Sequence, residues 1–353
     1  MPVVRLEDLD YELDPARIAE VPVEPRDSAK LLVDRGSAPP EHRHVRDLPD
    51  LLRDGDVLVV NDSKVIPARL ALRRQSGGRC EVLLLEPRDP ARRWWEALVR
   101  PARKLRTGEV LTPDAGGPAL VRIGERTPAG DTFEIELLGA DEPLILLDQH
   151  GRMPLPPYIH TTLERPERYQ TVYADEPGSA AAPTAGLHLT GDVLARLANR
   201  GIPVVTVELA VGLDTFAPVT EDDPLQHVMH TERYRVPAAT WDTVQSAERV
   251  VAVGTTSVRA LETAAATGKL SGRTALFLHA DSPMRVVDVL MTNFHLPRTT
   301  LLMMIEALVG RRWRDLYTAA LAADYRFLSF GDAMLLDRHA ERFDPLRSLR
   351  SRR

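Results

Sequence analysis

The sequence predicts an α/β protein in which a discontinuous α/β domain, residues 1–64 and 151–353, carries an antiparallel β module inserted over residues 65–150. Two textures predict it. After Gly151 helical and strand patterns alternate, as they do where helices pack on a sheet. Between 65 and 150 short strands follow one another through Gly- and Pro-containing turns, which suits a small antiparallel barrel or a sandwich. Val57-Leu58-Val59-Val60 reads as a strand ahead of the module, so both ends of the chain contribute to the α/β domain.

In chain order, Leu48, Leu51 and Leu52 form an apolar helical stripe, Asp54-Gly55-Asp56 a turn, and residues 57–60 the first strand. The module's expected strands are Val65 to Leu72, Cys80 to Leu85, Trp94 to Val99, Glu109 to Leu111, Leu120 to Ile123, Thr132 to Leu137 and Leu144 to Leu147. Gly77-Gly78, Arg88-Asp89-Pro90, Gly116-Gly117-Pro118 and Pro128-Ala129-Gly130 are the turns between them. Helices are then expected over Gly191 to Arg200, Ala239 to Glu248, Val258 to Thr267, Thr299 to Val309 and Trp313 to Ala323. Strands are expected over Pro203 to Val211, Val250 to Gly254, Thr274 to His279 and Val286 to Met291. The Arg-rich end and Arg35 to Arg43 read as disorder-like, and no internal repeat is present.

Composition bounds the function. The chain has 353 residues, 44% hydrophobic and 27% charged, the range of folded globular proteins. Its longest apolar runs fall far short of a membrane span, and no secretory signal opens it, so a cytoplasmic protein without a membrane partner is expected. The single cysteine, Cys80, excludes an intrachain disulfide and a cysteine metal cluster, and reads as a buried strand residue. A net charge of −6 does not advertise nucleic-acid binding. Arginines nevertheless cluster at 92–106, where Trp94 and Trp95 interleave with them and suit either base stacking or a core, at 311–314, and at 347–353. His227 and His230 lack a third ligand of clear spacing, so no metal site is expected.

Four polar turns concentrate reactive side chains. Gly178 to Thr190 is rich in small residues around Thr184 and His188, backbone suited to close approach by a ligand; the alternative is a tight connection in which His188 bonds a neighbouring carbonyl. Gly254-Thr255-Thr256-Ser257-Val258-Arg259 joins a strand to a helix N-terminus, which favours anions. Ordinary capping by Thr255 or Thr256, with Arg259 paired to Glu262 or Glu248, would equally explain it. Met291 to Thr300 repeats the arrangement, with Asn293 able to hold an imidazole or orient a substrate and His295 at the strand end. Asn61 lies in a third strand-end turn, and Arg26 and Lys30, in Glu24 to Val33, suit a carboxylate or phosphate clamp.

Together and in this order these segments resemble the S-adenosylmethionine:tRNA ribosyltransferase-isomerase family of queuosine biosynthesis, over nearly the whole chain. The marker segments are Glu24 to Val33, Gly55 to Leu70, Trp95 to Gly108, Gly151 to Tyr158, Tyr169 to Thr190, Met229 to Glu232, Val253 to Glu262, Val287 to Thr300 and Tyr325 to Leu335. The resemblance implies an α/β domain with an inserted β-barrel and a reaction on tRNA. The ribosyl part of the cosubstrate S-adenosylmethionine is transferred and isomerised onto 7-aminomethyl-7-deazaguanine, releasing adenine and methionine, without a metal. A monomer is compatible with it.

That chemistry needs a base for the ribose C–H next to the sulfonium and a proton for the departing adenine. His188 and His295 are the expected acid and base. Thr184, Thr255, Thr256 and Arg259 are expected at the cosubstrate, with Arg26, Asp27, Asn61 and Asn293 fixing geometry. Where the family typically reads Thr-Leu-His-Val-Gly-x-Gly-Thr-Phe, this chain has Glu208-Leu209-Ala210-Val211-Gly212-Leu213-Asp214-Thr215-Phe216. Ala210 thus replaces a histidine, and Asp214, a further catalytic candidate, replaces a glycine. The family's Pro-Gly-Tyr is also absent, with His279 to Met284 in its place. Two alternatives stay open: a diverged member that uses S-adenosylmethionine or another nucleoside on a different acceptor, and a non-catalytic nucleoside- or RNA-binding protein.

Overall fold

A computed structural model describes residues 6–128, 130–161, 163–211, 221, 223–227, 229 and 231–340. Asp214, His230 and the arginines at 347–353 lie outside the described residues. Strands β1 (Lys30–Val33) and β2 (Glu41–His44) pair antiparallel, helix α1 (Leu48–Leu51) leads into β3 (Asp56–Asn61), and β4 (Ser63–Val65) carries the chain onward. Next come β5 (Arg69–Arg74), β6 (Arg79–Pro87), β7 (Trp94–Arg100), β8 (Val110–Pro113), β9 (Val121–Arg126), β10 (Phe133–Leu137) and α2 (Pro143–His150). The remainder comprises β11 (Gly151–Arg152), β12 (Glu176–Ser179), α3 (Gly191–Asn199), β13 (Val204–Leu209), β14 (Glu232–Arg235), α4 (Ala238–Ser246) and β15 (Arg249–Val253). It closes with α5 (Thr255–Thr267), β16 (Ser271–Thr274), β17 (Val289–Asn293), α6 (Thr300–Val309), α7 (Trp313–Ala322) and β18 (Ala333–Asp337).

The large sheet runs β16-β14-β13-β3-β15-β17-β18-β1-β2. Its centre, β13-β3-β15-β17, is parallel, so the carboxyl ends of these strands share one edge. Their sequences are apolar on both faces because both faces are covered. Val57 and Val59 enter one core with α5, α6 and α7, while Leu58 and Val60 enter a second with α1 and α3. At the opposite edge Arg249 bonds Asp56 and Asp337, tying the ends of β3, β15 and β18 together.

Strands β5-β6-β7-β10-β9-β8 close through a β5–β8 pairing into a six-stranded antiparallel barrel, rather than a sandwich. Trp95 and Cys80 lie in its core, and burial pushes the Cys80 thiol up to about 11. Trp94 is 40% exposed. The sheet pair β4 and β12 and the β11–β5 contact join barrel to α/β sheet.

The structure corrects several sequence expectations. Leu144 to Leu147 is part of helix α2, started by Pro143 at its first position, which turns Leu146 and Leu147 into the barrel core. Val65 to Leu72 is two strands, broken at Pro67, which has no N–H to give a ladder. The expected strand Thr274 to His279 is instead Ser271–Thr274, because the carbonyls of Thr274 and Leu276 accept from the Arg259 guanidinium. Arg35 to Arg43 is not disorder-like: it leads into edge strand β2, with Arg35 and Arg43 both paired to Glu41.

Candidate functional site

The carboxyl edge of the parallel strands opens into a cleft. Three turns build it. After β15, Gly254 adopts φ +86° and starts α5 with no side-chain cap, which corrects the expected capping by Thr255 or Thr256. Thr255 and Thr256 therefore line the cleft beside the free N–H groups of the first helical turn. Thr256 Oγ1 is buried and has no hydrogen-bond partner among the described residues.

The second turn follows β17. Asn293, Phe294, His295 and Leu296 all line the cleft. The His295 backbone is pinned on both sides, its N–H donating to Tyr317 Oη at 3.0 Å and its carbonyl accepting from the Tyr11 hydroxyl. Thr292 Oγ1 lies 3.2 Å from His295 Nε2 and orients the ring. Burial pushes this imidazole down to about 3, so it is neutral at pH 7.

The third turn contains the small residues. Ala180, Ala181 and Ala182 are buried, and Thr184–His188 forms a short 3₁₀ turn. Gly186 is required there, since a Cβ would stand 2.0 Å from Tyr173 Oη. Thr184 Oγ1 donates to Asn293 Oδ1 at 2.9 Å, and Asn293 Nδ2 lies 3.0 Å from His188 Nε2. Asn293 thus holds the imidazole of His188, not that of His295. A neutral His188 with Nε2 accepting carries its proton on Nδ1, which faces the Arg26 carbonyl. Burial, then the charges of Arg326 and Arg26, push His188 down to about 4.

Of the residues singled out from sequence, Thr184, Thr255, Thr256, Asn293 and His295 come together around the cleft. His188 stands one hydrogen bond behind it and lines a smaller cleft with Arg26. Asp27 accepts from Thr190, which caps α3. Asn61 lies at the end of β3, where its amide bonds Leu209 and Ser63. Lys30 donates to the carbonyls of Ala323 and Asp324 after α7. Arg259 turns away from the cleft and ion-pairs Glu232, not Glu262 or Glu248 as expected. Glu262 instead accepts from the N–H groups of Arg285, Val286 and Val287.

Sequence reasoning passed over two cleft residues, Tyr158 and Ser329, whose hydroxyls lie 2.7 Å apart. Their signal was position alone, inside the resemblance segments ending at Tyr158 and spanning Tyr325 to Leu335. Arg312, from the 311–314 cluster, is bound to Asp34 rather than free for phosphate.

The sequence profile of a family described as queuosine biosynthesis protein matches residues 6–336. A protein from Synechococcus elongatus named S-adenosylmethionine:tRNA ribosyltransferase-isomerase is 48% identical over 344 residues, covering 94% of this chain and 95% of its own. One of the same name from Symbiobacterium thermophilum is 50% identical over 347 residues, covering 94% and 100%. Among solved structures, the S-adenosylmethionine tRNA ribosyltransferase of Thermotoga maritima is similar at 33% identity and a TM-score of 0.52, over 93% of this chain and 99% of that one.

Proposed function

Because the chain belongs to the queuosine biosynthesis protein family, we propose that it is an S-adenosylmethionine:tRNA ribosyltransferase-isomerase that seats its cosubstrate in the cleft at the carboxyl edge of the sheet. The observation that carries this reading is the composition of that cleft. A helix N-terminus with Thr255 and Thr256, the latter's hydroxyl without a partner among the described residues, shares the cleft with a neutral imidazole and an apolar floor of Phe294, Leu296 and Leu301. Hydroxyls and N–H groups suit a ribose and its base; the apolar floor suits the thioether carbons.

The sulfonium acidifies the adjacent ribose C–H. The neutral imidazole of His295 takes that proton, and the electron pair left on carbon drives opening of the ring and departure of adenine, which leaves carrying a proton. The amine of 7-aminomethyl-7-deazaguanine, neutral when it attacks, forms the new C–N bond and loses a proton. The carbanion regenerated beside the sulfonium when the amine adds then closes a C–C bond onto the aldehyde that adenine left behind. The resulting alkoxide forms the epoxide C–O bond as methionine departs with the electrons of its C–S bond, so the tRNA keeps an epoxycyclopentanediol. No metal enters this scheme. Thr184, Asn293 and His188 act as one hydrogen-bonded support for the loop over the cosubstrate, and Asp27 and Asn61 hold the surrounding turns.

In the same reading residues 1–64 and 151–353 carry the cleft, residues 65–150 form the inserted barrel domain, and the protein works as a cytoplasmic monomer. Purified protein incubated with S-adenosylmethionine and precursor-bearing tRNA should yield the epoxycyclopentanediol nucleoside on mass spectrometry. One observation favours a second reading. Ala210 replaces a histidine directly beside Val211, which lines the cleft, and a different acceptor would show as adenine release without modification of that tRNA.

A further inference from the structure

Two helices begin at the cosubstrate cleft. Gly254, Thr255 and Thr256 line it where α5 starts, and Thr299 and Leu301 line it where α6 starts. These helices have 13 and 10 residues, and neither has a side-chain cap. The N–H groups of Thr255, Thr256 and Ser257 precede the first bond of α5, which runs from the Val258 N–H to the Gly254 carbonyl at 3.3 Å. Each such terminus carries about half a positive charge. None of the described residues lining the cleft is Asp, Glu, Lys or Arg, so no carboxylate offsets the two helix ends.

Thr256 adds an independent sign. It is 6% exposed, and its Oγ1 is buried with no hydrogen-bond partner among the described residues. A Cβ built on Gly254 would stand 3.5 Å from that oxygen and 3.7 Å from the Ala185 Cβ. The hydroxyl therefore lies at the mouth of the helix, among other residues of the cleft. Ser257, by contrast, spends its hydroxyl on the Val253 carbonyl at 2.8 Å. A buried donor left over beside three unspent N–H groups costs free energy until a ligand accepts from it.

We propose that the N-terminus of α5, together with the Thr256 hydroxyl, holds the α-carboxylate of S-adenosylmethionine. The assignment rests on the family reading for its ligand. A ribose or a base could use the same donors but not their field, and the carboxylate is the cosubstrate's one anionic group. Four bonds separate it from the sulfonium, a span comparable to the spacing of about 4.8 Å between neighbouring strands. Strand β15 leads into α5, and its neighbour β17 leads into the turn that carries His295, with the Gly254 N–H bonded to the Met291 carbonyl at 2.8 Å. A carboxylate at Thr256 thus directs the sulfonium one strand over, toward the His295 imidazole.

Calorimetry on the full chain at pH 7 gives the Kd for S-adenosylmethionine and for its decarboxylated form, in wild type, Thr256→Val and Thr256→Asp. The control is Thr243→Val, whose native hydroxyl bonds the Ala239 carbonyl within α4, and melting temperatures are recorded for every form. Wild type and Thr243→Val should bind S-adenosylmethionine roughly tenfold or more tighter than the decarboxylated form, as befits charge-assisted hydrogen bonds. Thr256→Val should narrow that ratio several-fold by weakening S-adenosylmethionine alone. Thr256→Asp should invert it. A carboxylate in the first turn suits the helix, occupies the N–H groups itself and repels the ligand's carboxylate, while the decarboxylated cation gains.

A ratio that is the same in all four forms, in variants that melt like wild type, overturns the assignment. So does a Thr256→Val whose KM for tRNA rises with a flatter salt dependence while the ratio is unchanged, the mark of a tRNA phosphate at the terminus. A slower release of adenine with both Kd values unchanged overturns it too, by assigning the terminus to the departing base. A wild type that binds neither ligand overturns the family reading, and the assignment with it.

Discussion

The Asn293 carboxamide joins Thr184 to His188, accepting from Thr184 Oγ1 at 2.9 Å and placing Nδ2 3.0 Å from His188 Nε2. Asn293 itself lines the cosubstrate cleft while His188 lines the smaller one, so the two clefts share a single polar strut. The strut also sets the protonation of His188, because an amide donor at Nε2 selects the Nδ1–H tautomer.

Replacing that donor by an acceptor tests the strut. Asn293→Asp should raise the pKa of His188, since a carboxylate in place of the amide favours the imidazolium. Titration of the imidazole ¹⁵N resonances should show it, and kcat should fall roughly 10- to 100-fold if the strut positions the cleft loop. An unshifted titration would show that Asn293 does not control His188.

A packing prediction concerns Gly186. Its missing Cβ would stand 2.0 Å from Tyr173 Oη and 3.0 Å from Thr171 Cγ2. Gly186→Ala should destabilise by about 1–3 kcal/mol, the usual cost of overpacking. Tyr173 Oη has no partner among the described residues, so Tyr173→Phe alone should be close to neutral and should recover part of the Gly186→Ala loss in denaturant unfolding. Additive losses in the double variant would refute the contact.

The ion pair of Arg259 and Glu232 separates a structural role from a binding one. The two side chains are 3% and 7% exposed. Glu232→Gln should cost about 3–5 kcal/mol by stranding a buried guanidinium, while S-adenosylmethionine affinity of the folded fraction stays within a few-fold. A large loss of affinity in stable protein would restore Arg259 to the site.

Much of this was legible in sequence, and the exceptions have physical causes. The barrel strands and the alternation after Gly151 showed in periodicity because each buries one face or both. Helix α2 did not, because a four-residue apolar run has no period of its own. Strand-end turns identified Thr184, Thr255, Thr256, Asn293 and His295, since hydroxyl, amide and imidazole side chains at such turns have few other uses. Arg259 sits in the same turn, yet its direction depends on Glu232 and on the carbonyls of Thr274 and Leu276, partners the local sequence does not show. Tyr158 and Ser329 reach the cleft from segments 171 positions apart, beyond any local pattern.

Stability should fall in acid. Buried His188 and His295 have folded pKa values of about 4 and about 3, below the ordinary 6.5. The unfolded chain therefore binds more protons between these limits. The stability contributed by the neutral imidazoles is complete above pH 6.5 and is lost as pH falls toward 4 and then 3, by roughly 1.4 kcal/mol per imidazole per pH unit. In urea unfolding at pH 7 and pH 5, replacing either histidine by Gln should flatten the change. A slope unaffected by both substitutions would contradict the burial.

The central claim is that His295, from the cleft, removes the ribose proton of S-adenosylmethionine while His188 supports it from behind. The direct measurement is single-turnover adenine release with saturating S-adenosylmethionine and precursor-bearing tRNA, comparing wild type with His295→Ala. The expected result is a loss of about 10²- to 10⁴-fold, with the Kd for S-adenosylmethionine within a few-fold and melting unchanged. Adenine release at near wild-type rate from folded His295→Ala would contradict it.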